Sequence, residues 1–549
     1  MEASLKKQYP WWQSTTIYQI YPRSFMDMNG DGIGDIQGII SKLDYLKRTG
    51  FETIWLSPFF QSPQRDFGYD ISDYYRIAPE YGTLADIEQL IEEVHKRQMY
   101  VIFDMVMNHT SDQHHWFKGS KGDKEGHKKD WYIWHEGKSE GKRPPNNWRS
   151  LLLSRGWQFD EQRKQWYYAS FLPFQPDLNY HNPEVKEAMF KVVRHWLQKG
   201  VDGFRLDIFN VIIKDSSFSN NPFNINPFPS YSNPISGFQK GAYTVNHPDN
   251  FELAKELRGV VNEFQDRERV LLGEVFGKHD TIRKFLGEKQ EGLHLIFLFD
   301  MLKFRFSAHW FRKKIELYEK YYPAPFIPTI VFSNHDNRRS ISRIKNNPEK
   351  AKLIALFQFT TRAVPVTYQG EEIGMTNAHI PLKQGLDPLA HKFRWVPQWV
   401  ANLAPVTLNR DICRTPMQWS ADKHAGFTIS EKPWLPVNPD YTKINVASQN
   451  DKFESLLYTY RRLLHVRKRF KALQVGSITT IKHTPKSVLG YYRLHEEELI
   501  YIYINFSSKS IKIKFPRLAS RLEFSTRSDN LLSHQQVFLK PLSGVIIRS

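Results

Sequence analysis

Apolar residues recur along most of the chain in two rhythms, and the rhythms alternate. One is a short, strand-length run. Such runs cover 16–21, 53–57 and 100–106, then 201–207, 269–274, 293–299, 328–332 and 364–368. Their length predicts strands, and 100–106, apolar on both faces apart from Asp104, has the character of a strand buried in a parallel sheet. The other rhythm is helical. In 36–49, Ile39, Ile40, Leu43 and Leu46 share one face and Gly50 stops the period, and 85–97 repeats the pattern. About eight strands, most separated by a helix-length segment, predict an α/β chain folded as a (β/α)8 barrel. In that fold the chemistry sits at the C-terminal ends of the strands.

Two stretches break the alternation. Residues 109–177 show no clear helical period and are rich in Trp, Gly, Lys and Asn. A connection that long predicts a lid or a small inserted domain. Beyond Leu473 the pattern turns to short alternating strands, such as 499–505 and 510–515, which predict a separate antiparallel β-domain. The expected organisation is a barrel from 1–108 and 178–472, an insertion after strand three at 109–177, and a C-terminal domain at 473–549.

Composition narrows the class. The chain has 549 residues, more than one ordinary core holds. Its 40% hydrophobic and 14% aromatic content excludes a disordered protein. Cys413 stands alone, which excludes an intramolecular disulfide and fits a reducing compartment. Residues 1–12 carry no apolar core of a signal peptide, and no run reaches the length of a membrane span. The expectation is a cytoplasmic protein with no membrane partner. The net charge of +18 is spread along the chain, with local clusters at 118–129 and 509–517 and no zinc-finger or RNA-binding signature. A solvated basic surface accounts for it, and no nucleic-acid partner is expected.

The candidate chemistry gathers at strand ends. In 201–207, alternation sends Gly203, Arg205 and Asp207 to one face, and Phe204, Leu206 and Ile208 to the other. The strand is ending at Ile208, so that residue can also turn toward the rim. Arg205 beside Asp207 would keep the carboxylate ionised, although a structural ion pair has the same appearance. Strand three ends in Asp104-Met105-Val106-Met107-Asn108-His109, strand five in Gly273-Glu274, and strand seven runs into Ser333-Asn334-His335-Asp336. A barrel brings these ends to one rim, and stability alone does not explain carboxylates, histidines and an arginine placed together. A separate motif, Asp27-Met28-Asn29-Gly30-Asp31-Gly32-Ile33-Gly34-Asp35, spaces oxygen ligands at alternate positions with Gly32 at the turn. It copies the first part of an EF-hand loop, but Gly38 stands where the bidentate Glu belongs, and an Asx-rich turn reads the same way. No His/Cys cluster has zinc spacing.

These segments resemble the signature regions of the α-amylase superfamily of glycoside hydrolases (family 13). More narrowly, the chain resembles the oligo-1,6-glucosidase and α-glucosidase branch. The residues 175–179 (QPDLN), 368–375 (YQGEEIGM) and 414–419 (RTPMQW) stand in the order that branch shows. The resemblance implies a TIM barrel, an inserted domain and a C-terminal β-sandwich. It implies retaining hydrolysis by two carboxylates about 5–5.5 Å apart, with Asp207 as nucleophile, Glu274 as acid/base and Asp336 as the third carboxylate. It places Asp66, His109, Arg205, His335 and Arg414 around a terminal glucose, with Tyr69 and Phe171 as its apolar walls. It also implies a structural Ca²⁺ or Mg²⁺ on Asp27, Asn29, Asp31, Asp35 and the Ile33 carbonyl, and no organic cofactor or catalytic metal.

The chain departs from the branch at Asn337-Arg338-Arg339, at Leu152 and in the longer segment 378–410. These departures bear on the second sugar and on linkage. Ile208, β-branched like the valine common on the α-1,6 side, favours isomaltose-type substrates. The expected activity is exo-acting α-glucosidase on a small α-glucoside. A glucosyl-transferring or isomerising relative, of the sucrose isomerase or trehalose synthase kind, would carry the same three carboxylates. A non-catalytic member would be expected to lose them.

Overall fold

Eight parallel strands form one sheet in the order β6-β5-β4-β3-β2-β1-β8-β7. They are β1 (Ile17–Ile20), β2 (Thr53–Leu56), β3 (Tyr100–Met105), β4 (Gly203–Leu206), β5 (Val270–Gly273), β6 (Leu295–Ile296), β7 (Thr329–Val331) and β8 (Val364–Tyr368). The sheet is nearly closed. Across the seam between β6 and β7 the Thr329 hydroxyl donates to the Ile296 carbonyl at 2.8 Å and accepts from the Leu298 N–H at 3.3 Å. This computed structural model describes residues 9–549, except 153, 227–228, 236, 405, 515–520 and 534–535. Residues 1–8, and Phe515 at the end of the expected strand 510–515, lie outside the described residues.

The barrel interior is filled from alternate positions, including Ile17, Trp55, Ile102, Val270, Leu272, Val331 and Val366. The opposite faces pack against the helices. In Leu84–Lys96, Ile87, Leu90, Ile91 and Val94 are buried, and a Thr83–Asp86 capping box closes the N-terminus. The expected helix 36–49 is two helices, Ile36–Ser41 and Leu43–Thr49, because Lys42 leaves helical geometry at φ −109°, ψ 3°. Gly203 fits where β4 meets β5: it has φ +148°, and a Cβ there would stand 2.0 Å from the Val270 carbonyl oxygen.

The insertion after β3 carries a helix, His115–Gly122, and a small antiparallel sheet of Trp134–His135, Trp157–Asp160 and Gln165–Tyr168. His109 and Asp177 face each other in an isolated antiparallel bridge. The C-terminal part is two antiparallel sheets, one of five strands and one of three, packed around Tyr503, Ile513, Val537, Leu539, Val545 and Ile547. Among the described residues no helix is long and apolar enough to cross a membrane.

Candidate active site

The floor is built at the C-terminal ends of β2 to β5, where inward side chains of neighbouring strands come level. Arg205 on β4 is its hub. Its Nη1 donates to Asp104 Oδ1 on β3 and to Asp207 Oδ1, both at 2.8 Å, and its Nη2 contacts Glu274 Oε2 just beyond β5. The guanidinium lies 5.2 Å over the Trp55 ring, and the indole N–H donates to Asp104 Oδ2 at 3.2 Å. All four ionic side chains are buried.

One positive charge cannot hold three buried carboxylates ionised. The surplus is settled by protons. Burial pushes the Glu274 acid up to about 8, against the pull of Arg205 and with the help of Asp207, Asp336 and Asp104. Burial likewise moves Asp104 up to about 7, with Arg205 opposing and Asp207 assisting. Glu274 is therefore a proton donor at neutral pH.

Asp336 has the opposite setting. Burial alone would raise its acid, but His335, Arg410 and Arg414 outweigh it and hold the group well below the ordinary carboxylate range. Arg414 Nη2 donates to Asp336 Oδ1 at 2.8 Å and Arg410 Nη1 to the same oxygen at 3.3 Å. His335 is pushed down to about 3 by burial and is neutral. The Gln19 amide lies 2.7 Å from His335 Nδ1. With Gln19 as donor, the ring proton sits on Nε2, which faces Tyr69 Oη at 2.7 Å and Asp336 Oδ2 at 3.2 Å. The Tyr69 hydroxyl then donates to Asp104 Oδ2 at 3.2 Å.

A cavity of about 250 Å³ opens above this floor. Of the residues expected around a glucose, Asp66, Tyr69, His109, Phe171, Asp207, Glu274 and Asp336 line it. Arg205, His335 and Arg414 do not; they act on its carboxylates from behind the wall. Arg410 lines it instead, and was not anticipated: its Nη2 donates to Asp66 Oδ1 at 2.8 Å, while Gln175 Nε2 donates to Asp66 Oδ2 at 3.0 Å. His109 packs 5.3 Å from Phe171 and is oriented by Asn108 at Nδ1 and the Tyr69 carbonyl at Nε2.

Ile208 overturns the simple alternation. The strand stops at Leu206, Ile208 takes φ 36°, ψ 46°, and its side chain reaches the cavity wall beside Leu151 and Phe276. A β-branched residue rarely adopts that backbone; the flanking bonds Asp207 N–H to Met105 O (3.1 Å) and Phe209 N–H to Glu274 O (2.9 Å) hold it there. Leu152, Tyr231, Asn337, Leu389 and Thr407 complete the outer wall.

The aspartate loop lies elsewhere, before the helix at Ile36. Asp27 accepts from the N–H groups of Gly30 and Gly32, Asn29 from Asp31, Asp31 from Ile33, and Asp35 from Met28, Asn29 and Gly38. Gly32 has φ +92° and abuts the Lys432 carbonyl, a position closed to any Cβ. The donor set of three carboxylates and an amide has the all-oxygen chemistry of a Ca²⁺ or Mg²⁺ site, and carboxylate lone pairs remain after these bonds. Its carboxylates are not gathered: among the described residues no three His, Cys, Asp or Glu side chains form a group that could hold an ion.

The family model for the alpha amylase catalytic domain matches residues 19–476. The "Probable alpha-glucosidase" of Rhizobium meliloti (strain 1021) is 38% identical over 520 residues, covering 92% of this chain and 91% of its own. The oligo-1,6-glucosidase of Bacillus cereus is 35% identical over 563 residues, covering 98% of each. Among solved structures, an alpha-glucosyl transfer enzyme, XgtA, superposes with a TM-score of 0.90 at 34% identity, over 99% of this chain and 100% of its own.

Proposed function

The chain belongs to the alpha-amylase family of glycoside hydrolases, on its α-glucosidase and oligo-1,6-glucosidase branch, and we propose that it removes the terminal glucose of short α-glucosides by a retaining double displacement. The observation that carries this reading is the division of labour between two arginines. Arg205 joins the two carboxylates that would react, Asp207 and Glu274. Arg410 joins the two that would bind sugar hydroxyls, Asp66 and Asp336.

In the first step Asp207 attacks the anomeric carbon while Glu274 gives its proton to the departing glycosidic oxygen. The products are a glucosyl ester on Asp207 and a free alcohol. In the second step the Glu274 carboxylate takes a proton from water, whose oxygen attacks the same carbon and frees Asp207. A guanidinium shared by both carboxylates supports the short spacing of this route over the about 6.5–9.5 Å needed to seat a water between them. The ionised Asp336 stabilises the positive charge that develops on the ring.

Glucosyl transfer remains a second reading because the solved transfer enzyme shares the whole fold. The two readings differ in which acceptor reaches the ester. The deciding experiment assays maltose, isomaltose, sucrose, trehalose and p-nitrophenyl α-glucoside, with product analysis and NMR of the first sugar released. α-Glucose released first is expected; β-glucose first would overturn the double displacement, and an isomer of sucrose as main product would favour transfer. Ile208 on the wall predicts isomaltose at least as good a substrate as maltose. An apolar methylene is worth about 1–3 kcal/mol, so maltose ahead by more than about tenfold in kcat/KM would refute that preference.

For the aspartate loop we propose a structural Ca²⁺ or Mg²⁺ that would bind by drawing together the oxygens of Asp27, Asn29, Asp31, Asp35 and the Ile33 carbonyl, which are not gathered without it, a role confined to stability.

A further inference from the structure

We propose that Asp387 is a positioning residue for the terminal glucose: it fixes the Arg410 guanidinium so that Asp66 and Asp336 each meet a single Arg410 nitrogen and keep lone pairs for the sugar. This rests on the α-glucosidase reading of the site. Asp387 stands in the segment 378–410 and caps the short helix Pro388–Lys392, accepting the Leu389 N–H at 3.1 Å. It is fully buried. Its carboxylate takes the Arg410 backbone N–H at 2.7 Å, Arg410 Nε at 3.0–3.1 Å and Nη2 at 2.8 Å. That is a fork-like grip on one edge of the guanidinium. Nη2 also donates to Asp66 Oδ1 at 2.8 Å, and Nη1, which Asp387 does not touch, donates to Asp336 Oδ1 at 3.3 Å, so each of these carboxylates meets one nitrogen.

The consequence is chemical. An arginine not held from behind would turn both nitrogens onto one carboxylate, the geometry it favours. Asp336 already spends an oxygen on Arg414, so a forked Arg410 would leave it little to offer a hydroxyl. With Asp387 on its near edge, Arg410 supplies charge to both carboxylates and saturates neither. The acid of Asp387 is held below its ordinary range because Arg410 outweighs the effect of burial, so the grip is ionic throughout the working pH range.

A merely structural role predicts a different outcome, and the same helix supplies the control. At its far end Lys392 Nζ donates to the Leu152 carbonyl at 2.8 Å and Ser154 Oγ at 2.7 Å, tying the helix to the insertion without touching Arg410. The experiment measures competitive inhibition by glucose, with kcat and KM on p-nitrophenyl α-glucoside, for Asp387→Asn, Asp387→Glu and Lys392→Met. Asp387→Asn keeps the cap and loses the charge; it should raise the glucose inhibition constant and KM about 10- to 100-fold, with a smaller change in kcat. Asp387→Glu keeps the charge but displaces it, and should fall between wild type and Asn. Lys392→Met should leave glucose inhibition unchanged. Either folded Asp387 variant inhibited like wild type overturns the proposal, as does an equal loss in Lys392→Met. A wild-type enzyme that neither cleaves the aryl glucoside nor responds to glucose instead refutes the α-glucosidase reading.

Discussion

The raised acid of Glu274 couples catalysis to stability, and Glu274→Gln tests both at once. The ordinary value of such a group is 4.5, and burial lifts it to about 8 in the folded chain. The native state therefore keeps a proton that the unfolded chain releases. Stability from this group is fully present below about 4.5 and is lost as pH rises through about 8. At about 1.4 kcal/mol per pH unit, the interval from 4.5 to about 8 corresponds to roughly 5 kcal/mol of strain above pH 8. An amide does not titrate, so the substitution should relieve much of it. Arg205 retains Asp104 and Asp207 at 2.8 Å, so its charge stays compensated.

The assay has two arms. Denaturant unfolding of wild type and Glu274→Gln across pH 5–9 should show the variant gaining relative stability as pH rises. In turnover, kcat/KM of the wild type should fall above about pH 8 as the acid is lost. The variant should lose about 10²–10⁴-fold on disaccharides, whose leaving groups need the proton, and far less in the first step on an activated aryl glucoside. Its alkaline limb should vanish. A variant that keeps the limb near pH 8, or gains no stability there, refutes the assignment of that proton to Glu274.

Two further perturbations follow from the same geometry. Asp207→Asn should abolish turnover on every active substrate while the far-UV spectrum and unfolding midpoint stay near wild type, since Arg205 keeps two acidic partners; near-native rates would remove Asp207 as nucleophile. Chelation should lower the melting temperature, and Ca²⁺ or Mg²⁺ at about 100 times Kd should restore about 2.7 kcal/mol; an unchanged curve for a demonstrably metal-free sample would sink the ion at Asp27–Asp35.

The barrel was legible because its strands are buried on both sides. Largely apolar runs such as 100–106 survive as β3 with little change of boundary. The helix break at Lys42 was not legible, since the apolar period runs through it and only the backbone departs. Ile208 shows the limit of alternation. A period of two holds while the ladder continues, and β4 pairs with its neighbours only as far as Leu206. Beyond that point the local turn, not the pleat, decides where a side chain points.

The cavity-lining arginine went unanticipated for a different reason. Arg410 and Arg414 lie four residues apart, the first capping and the second ending the single turn Asp411–Arg414, and both reach Asp336 Oδ1. Residue type and spacing cannot separate them. What separates them is depth: Arg414 is fully buried and its Nε donates to the His335 carbonyl at 2.8 Å, whereas Arg410 faces the cavity. That difference is imposed by Asp387, some twenty residues upstream in a segment whose length is itself a departure from the branch. The carboxylates proposed to react can be read from strand ends because the barrel fixes them. The residues proposed to hold the sugar depend on loops closing over the barrel, and there the sequence names the charges without saying which of them meet.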